Sequence, residues 1–211
     1  MNLLNLKKRL STYDIIIFDL DDTIYPQKNY DSPALLKISK FISKKIDRNE
    51  ILIFKKLRKI KKIRRGKAPK LLFNTFFKKL KITNKRKIIF KCVSMFQGYE
   101  CKELRSSKTL KLLISNLYKK KILFIVTNGN VRRQKKKIKY LGIKKYFKRI
   151  FILDGFKTAT KPSIKSVKYL SRFIENKKKL KAVYVGDNIN SDKKFAKNLK
   201  IDFIFYQFPS I

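Results

Sequence analysis

Near the amino end of the chain, Asp19-Leu20-Asp21-Asp22-Thr23 follows the apolar run Ile15-Ile16-Ile17-Phe18. A short β-branched run of this kind reads as a buried strand, so the acids stand where the strand ends and the chain turns away. Side chains of an extended segment alternate between faces, which lets Asp19 and Asp21 point at one spot while Asp22 points elsewhere. Two carboxylates held that close repel one another unless a cation or a proton neutralises them, and a divalent metal would meet that need. The same residues would also serve as an ordinary turn and helix cap. The chain has no His, and Cys92 and Cys101 lie far from this strand in sequence. Any chemistry must therefore come from carboxylates, hydroxyls and Lys.

Three further groups follow apolar runs or precede helices. Thr127-Asn128-Gly129 comes after Ile122-Leu123-Phe124-Ile125-Val126 and offers a hydroxyl and a turn whose backbone N–H groups suit an anion. In Thr160-Lys161-Pro162-Ser163 the proline keeps Lys161 out of the following helix and fixes its approach. Ala182-Val183-Tyr184-Val185 ends in Gly186-Asp187-Asn188-Ile189-Asn190-Ser191-Asp192, which adds two more carboxylates. Taken singly, each of these is also an ordinary strand-to-helix turn or cap.

The elements that must position these groups fall into two patterns. From Ser32 to Tyr99 the apolar spacing is helical. Ser32 caps a first helix with Pro33 in its first turn, and Asn49 opens a second that Gly66 and Pro69 end. A third runs near 70–81 and a fourth from about Asn84 to Tyr99. Thereafter helices over 108–120, 131–141, 163–175 and 191–199 alternate with strands over 122–126, 150–153, 182–185 and 203–205. Continuous apolar strands separated by helices form a parallel sheet covered on both faces, and the strand at 14–18 belongs to it. The predicted fold is thus α/β, a Rossmann-like doubly wound parallel sheet with an inserted α-helical bundle. Residues 1–24 and 106–211 make the sheet domain and 25–105 the insertion. In such sheets ligands bind beyond the carboxyl ends of the strands, where all four groups lie.

At 211 residues with 44% hydrophobic content, the chain can bury one substantial core and carry an insertion. No apolar run is long enough to span a membrane, and the first ten residues, broken by Lys7-Lys8-Arg9, are too short for a signal peptide. A cytoplasmic protein with two free thiols is expected. The charge is extreme, with 56 Lys and Arg against 14 Asp and Glu, a net +42. Basic runs such as Lys55-Lys56, Lys119-Lys120-Lys121, Lys135-Lys136-Lys137 and Lys177-Lys178-Lys179 are scattered rather than gathered in one stripe with interleaved aromatics. That pattern predicts a diffuse solvated charge from a composition drift. Nucleic acid would bind at most non-specifically, in a salt-sensitive way, while anionic metabolites would be drawn in.

Together, Asp19-Leu20-Asp21-Asp22-Thr23, Thr127-Asn128-Gly129, Lys161-Pro162 and Gly186-Asp187-Asn188 with Asp192 resemble the four motifs of the haloacid dehalogenase-like (HAD) hydrolase superfamily. The helical insertion resembles the C1 cap of its subfamily I, and Thr23-Ile24-Tyr25-Pro26 resembles the start of the cap hinge in pyrimidine 5′-nucleotidase-like members. The resemblance implies that Asp19 is a nucleophile forming an aspartyl-phosphate and that Asp21 is the general acid and then base. It implies that Thr127, the backbone of Asn128 or Gly129, and Lys161 hold phosphate oxygens. It also implies a Mg²⁺ site of the Asp19 carboxylate, the Asp21 carbonyl and Asp187, with Asp192 orienting the ligands.

The implied activity is that of a Mg²⁺-dependent phosphatase on a small phosphorylated metabolite, with a nucleoside 5′-monophosphate preferred and a sugar phosphate or phosphoglycolate as alternatives. A phosphomutase would use the same motifs, whereas Asp21 argues against a dehalogenase. Readings of another kind are a basic nucleic-acid-binding protein on a HAD scaffold and a polynucleotide end phosphatase. Tyr25 or Phe76 would be available to stack on a base, although Phe73, Phe76 and Phe77 at helical spacing read first as bundle core.

Overall fold

The protein is described here by a computed structural model that covers residues 1–63, 69–82 and 85–209. The chain divides into two compact units, one of Met1–Gln27 with Glu103–Ile211 and one of Lys28–Lys102.

The first unit is built on parallel strands β1 (Ile15–Phe18), β2 (Ile122–Asn128), β3 (Arg149–Leu153), β4 (Ala182–Gly186) and β5 (Asp202–Phe205), in the order β3-β2-β1-β4-β5. The earliest strand lies in the middle, with Ile15 opposite Ile122 on one side and Ala182 on the other. Every residue of β1 is buried, as a central strand covered on both faces requires. Ile15 and Ile17 pack on one face with Phe124, Val126, Tyr184, Leu170 and Phe195. Phe18, which points the other way, meets Phe147 edge-on. The strand order reverses between β1 and β4, the position at which open sheets of this kind leave a crevice for ligands.

Helices α1 (Leu3–Leu10), α6 (Lys108–Tyr118), α7 (Val131–Leu141), α8 (Lys168–Asn176) and α9 (Lys194–Asn198) complete this unit. Helix α1 was not expected from the sequence; it buries Leu6 and Leu10 and is capped by the Asn2 side chain. α7 opens on an Asn130 cap and closes on Gly142 at φ 63°, in the left-handed conformation that favours glycine. Two expected helices start late. Residues 163–167 form a turn and a 3₁₀ segment, Lys165–Val167, because the Ser166 hydroxyl accepts the Ala159 N–H and the Ser163 N–H goes to Thr160. Residues Ile189–Lys193 form a π-turn before α9, because the Asn188 side chain accepts the N–H groups of Asn190 and Ser191.

The second unit contains α2 (Lys28–Ile46), α3 (Glu50–Ile63), α4 (Pro69–Lys79) and α5 (Arg86–Gly98). Its core gathers Ile38, Ile42, Leu57, Phe73, Phe76 and Phe96, with Phe73 edge-on to Phe96 and Phe76 edge-on to Phe77. Asn49 caps α3 by accepting from the N–H groups of Ile51 and Leu52. The predicted helix stop at Gly66 and helix start at Asn84 lie outside the described residues. α2 begins at Lys28, so Pro33 stands inside the helix and not in its first turn. Pro33 has no N–H to offer the Asn29 carbonyl one turn back, and the Cys101 thiol donates to that oxygen instead, at 3.7 Å. The predicted boundaries at 25 and 105 also move: the structure keeps Tyr25 and Gln27 with the first unit, since Asp22 bonds the Tyr25 carbonyl through its N–H and the Gln27 N–H through its carboxylate.

Cys92 is fully buried in the helical core, and burial pushes its thiol up to about 12. A thiol both inaccessible and protonated is inert. In the native protein at pH 7, an alkylating reagent followed by peptide mass spectrometry should therefore leave Cys92 unmodified until denaturant is added.

Candidate active site

All the strand-end groups belong to the first unit. Asp19 directly follows β1 and is anchored by its N–H to the Val185 carbonyl of β4 at 2.9 Å. Its Oδ1 accepts from Lys161 Nζ at 2.8 Å. The same ammonium donates to Asp192 Oδ1 at 2.7 Å and to the Tyr184 hydroxyl at 2.8 Å, and Tyr184 passes its own proton to the Val126 carbonyl of β2 at 2.9 Å. Lys161 itself is held by its backbone N–H on the Asn128 side chain at 2.9 Å. Three donors thus meet three acceptors, and the buried ammonium ties β1, β2 and the end of β4 together.

Carboxylate oxygens of Asp19, Asp187 and Asp192 all lie within 4.8 Å of one another. Asp192 is fully buried on the π-turn and reaches back so closely that a Cβ at Gly186 would stand 2.4 Å from its Oδ2. Only glycine fits at the end of β4. The Asn188 N–H donates to that Oδ2 at 3.0 Å. Three carboxylates share this spot with one ammonium, and the remaining negative charge, carried by oxygen donors alone, suits a hard divalent cation. Burial pushes Asp19 above the ordinary carboxylate range, with Asp192 adding to the rise and Lys161 opposing it. Burial would lower the Lys161 ammonium, but Asp19 and Asp192 more than offset this and raise it.

Asp21 is held by another set of partners. A tight loop, with the Ile24 N–H on the Leu20 carbonyl at 3.0 Å, brings Tyr25 back so that its hydroxyl donates to Asp21 Oδ1. Lys137 Nζ bonds both carboxylate oxygens, at 2.7 and 2.9 Å, and Gln134 Nε2 bonds Oδ2 at 3.0 Å. Burial alone would raise Asp21, but the charge and hydrogen bonds of Lys137 and the Tyr25 hydroxyl hold it at about 2. Gln134 Nε2 also donates to Thr127 Oγ1 at 2.8 Å and to the Asn128 carbonyl at 3.2 Å.

Several sequence expectations change here. Of the two backbone groups expected to hold an anion, Asn128 or Gly129, the second is spoken for: β2 runs two residues further than predicted, and the Gly129 N–H continues the sheet to the Leu153 carbonyl at 2.8 Å. Gly129 serves instead as a turn at φ 146°, where a Cβ would press on Gln134 at 3.2 Å. Tyr25 and Phe76 are both fully buried, so neither ring face is open to a base. Lys137, read in sequence as part of a solvated basic run, is only 1% exposed. Among the described residues the buried basic side chains are Arg133, Lys137 and Lys161, and charge from each reaches Asp19 or Asp21. Sequence reasoning missed Gln134, Lys137 and Tyr184. A signal existed for the first two: at 134, 137, 138 and 141 they share the inner face of α7 with Ile138 and Leu141.

The chain matches the haloacid dehalogenase-like hydrolase family over residues 13–200. It belongs to that family. No curated relative matches it in sequence. Among solved structures it is similar to the HAD-hydrolase YfnB from Bacillus subtilis, whose structure is bound to magnesium, with a TM-score of 0.71 at 21% identity over 94% of this chain and 90% of that one. A phosphatase from Clostridium difficile gives 0.68 at 22% identity over 94% and 87%. A β-phosphoglucomutase from Thermotoga maritima gives 0.63 at 17% over 94% and 88%. At these identities the likeness establishes the HAD fold. Within it the chain is a hydrolase by family, and among the described residues no helix is long and apolar enough to cross a membrane.

The depressed Asp21 makes stability depend on pH in a defined direction. Its ion pair with Lys137 contributes fully above the unfolded-state value of 3.8 and is lost as pH falls through the folded value of about 2. Asp21→Asn should therefore melt below wild type at pH 7, and the gap in Tm should narrow as pH is lowered from about 4 to 2. Thermal melts of both proteins over that pH series check it.

Proposed function

We propose that this HAD hydrolase is a Mg²⁺-dependent phosphomonoesterase acting on a small phosphorylated metabolite. The observation that carries the reading is the separation of two acids at one strand end: Asp19 lies in a carboxylate cluster with Asp187, Asp192 and Lys161, while Asp21 is bound by Lys137, Gln134 and Tyr25. In this reading an Asp19 oxygen attacks phosphorus, the bond from phosphorus to the leaving oxygen breaks, and Asp21, ionised at rest beside Lys137, takes the proton carried by the phosphomonoester monoanion and passes it to that oxygen. Asp21 then takes a proton from water, which attacks the aspartyl-phosphate; that proton leaves with the inorganic phosphate and Asp19 is restored. Thr127 and Lys161 grip the phosphoryl oxygens as charge spreads over them.

The carboxylates of Asp19 and Asp187 and the carbonyl of Asp21 would hold Mg²⁺, with Asp192 fixing Lys161 and the turn beside them. The ion supplies positive charge to the phosphate oxygens. Nucleoside 5′-monophosphates are the first substrates to test, on the hinge resemblance of Thr23-Ile24-Tyr25-Pro26. The buried rings of Tyr25 and Phe76 move any base contact to other residues.

The test is phosphate release, with and without EDTA, across nucleoside monophosphates, sugar phosphates, phosphoglycolate and 5′-phosphorylated oligonucleotides. Release should require Mg²⁺ and favour a small monoester. Asp19→Asn should abolish it while leaving the circular dichroism spectrum unchanged. Turnover by Asp19→Asn near the wild-type rate would reject the mechanism, and a preference for the oligonucleotide that persists at high salt would reject the metabolite reading.

Asp187→Ala gives a separate check on the metal. Loss of a direct ligand should weaken Mg²⁺ activation by about 10-fold or more. An unchanged half-activating Mg²⁺ concentration would remove Asp187 from the site.

A further inference from the structure

Among the described residues Lys137 is the least exposed basic residue, and the proposed phosphoryl transfer makes no use of it. It stands one helical turn from Gln134 on the inner face of α7, and both spend their polar atoms on the same carboxylate. Asp21 Oδ1 receives the Tyr25 hydroxyl and Lys137, while Oδ2 receives Lys137 and Gln134. Lys137 also lies over the Tyr25 ring, 5.8 Å from its centre. A carboxylate bonded at both oxygens, from α7 and from the Tyr25 hydroxyl, is held against rotation. Gln134 does a second thing. Its N–H donates into Thr127 Oγ1, which occupies a lone pair there and leaves the threonine hydroxyl proton free to point at another acceptor. One side chain amide therefore sets both the carboxylate and the hydroxyl.

We propose that Lys137 and Gln134 are positioning residues that lock the Asp21 carboxylate and the Thr127 hydroxyl into one arrangement, so that proton delivery to the leaving oxygen is aligned with the grip on the phosphoryl group. The proposal rests on the acid and base role of Asp21 given above. Lys137 touches no reacting atom; it acts through Asp21. Its loss should therefore be felt where the leaving group needs a proton and little where it does not.

The experiment compares kcat/KM for p-nitrophenyl phosphate, whose leaving group departs as a stable anion, with that for an alkyl phosphomonoester turned over by the wild type. This parameter reports steps up to departure of the leaving group and is blind to the later hydrolysis common to both substrates. Asp21→Asn, measured in parallel, should lose at least about 100-fold on the alkyl ester and much less on the aryl ester. Lys137→Met, which keeps the length of the stem in its apolar surroundings, should show the same selectivity, with an alkyl loss of about 10- to 100-fold beyond the aryl loss. Gln134→Leu serves as the second variant should Lys137→Met fold poorly by circular dichroism. It should lose activity on both substrates through Thr127 and more on the alkyl ester through Asp21.

Equal losses on the two esters in a folded Lys137 or Gln134 variant, with Asp21→Asn still selective, would overturn the positioning role alone. An Asp21→Asn variant without selectivity would instead overturn the role of Asp21, and the proposal with it.

Discussion

One buried ammonium holds the carboxyl end of this sheet together. Lys161 Nζ faces Asp19 at the end of β1, Asp192 on the turn after β4, and the hydroxyl of Tyr184, which is itself bonded to β2. Carboxylates taken this far from water are costly without a partner, and removing one member of a buried pair typically costs about 3–5 kcal/mol. Asp19 and Asp192 therefore depend on Lys161 for their burial as much as for any part in a reaction. The chain invests in that residue accordingly: Asn128 fixes its backbone, and Gly186 gives up a side chain so that Asp192 can come close enough to meet it.

Against that anchor, two aspartates only two residues apart are driven in opposite directions. Burial and a neighbouring carboxylate raise Asp19, whereas Lys137 and Tyr25 depress Asp21. Divergent environments for paired acids are the usual way in which one strand end obtains two chemical roles. Here the difference comes from separate elements. The loop that carries Lys161 serves Asp19, and the inner face of α7 serves Asp21.

The strands were legible because buried parallel strands are short, β-branched and uninterrupted, as Ile15–Phe18 and Ala182–Val185 are. The acids were legible because their order followed those strands. Lys137 was not, because in a chain with 56 Lys and Arg one more lysine carries no information until burial singles it out. The inner-face periodicity of α7 sets Gln134 and Lys137 beside Ile138 and Leu141, but a lysine at such a position reads as solvated until its burial is seen. The sheet bond of the Gly129 N–H was hidden for another reason. The extent of β2 is set by its partner β3, and pairing across strands is invisible in the run of residues itself. Pro33 misled in a similar way, since the thiol that accommodates it belongs to Cys101, far along the chain.

The central place of β1 bears on how the chain is made. Ile15–Phe18 is made before both of its neighbours in the sheet, Ile122–Ile125 and Ala182–Val185. The chain must be synthesised through Val185 before both edges of that strand are covered, and such distant pairings close slowly. The helical unit of Lys28–Lys102 lies wholly between them and draws on nearby contacts, so it can condense on the ribosome while β1 waits with both edges bare. A four-residue strand of Ile and Phe left in that state offers unpaired backbone groups to any other extended chain nearby.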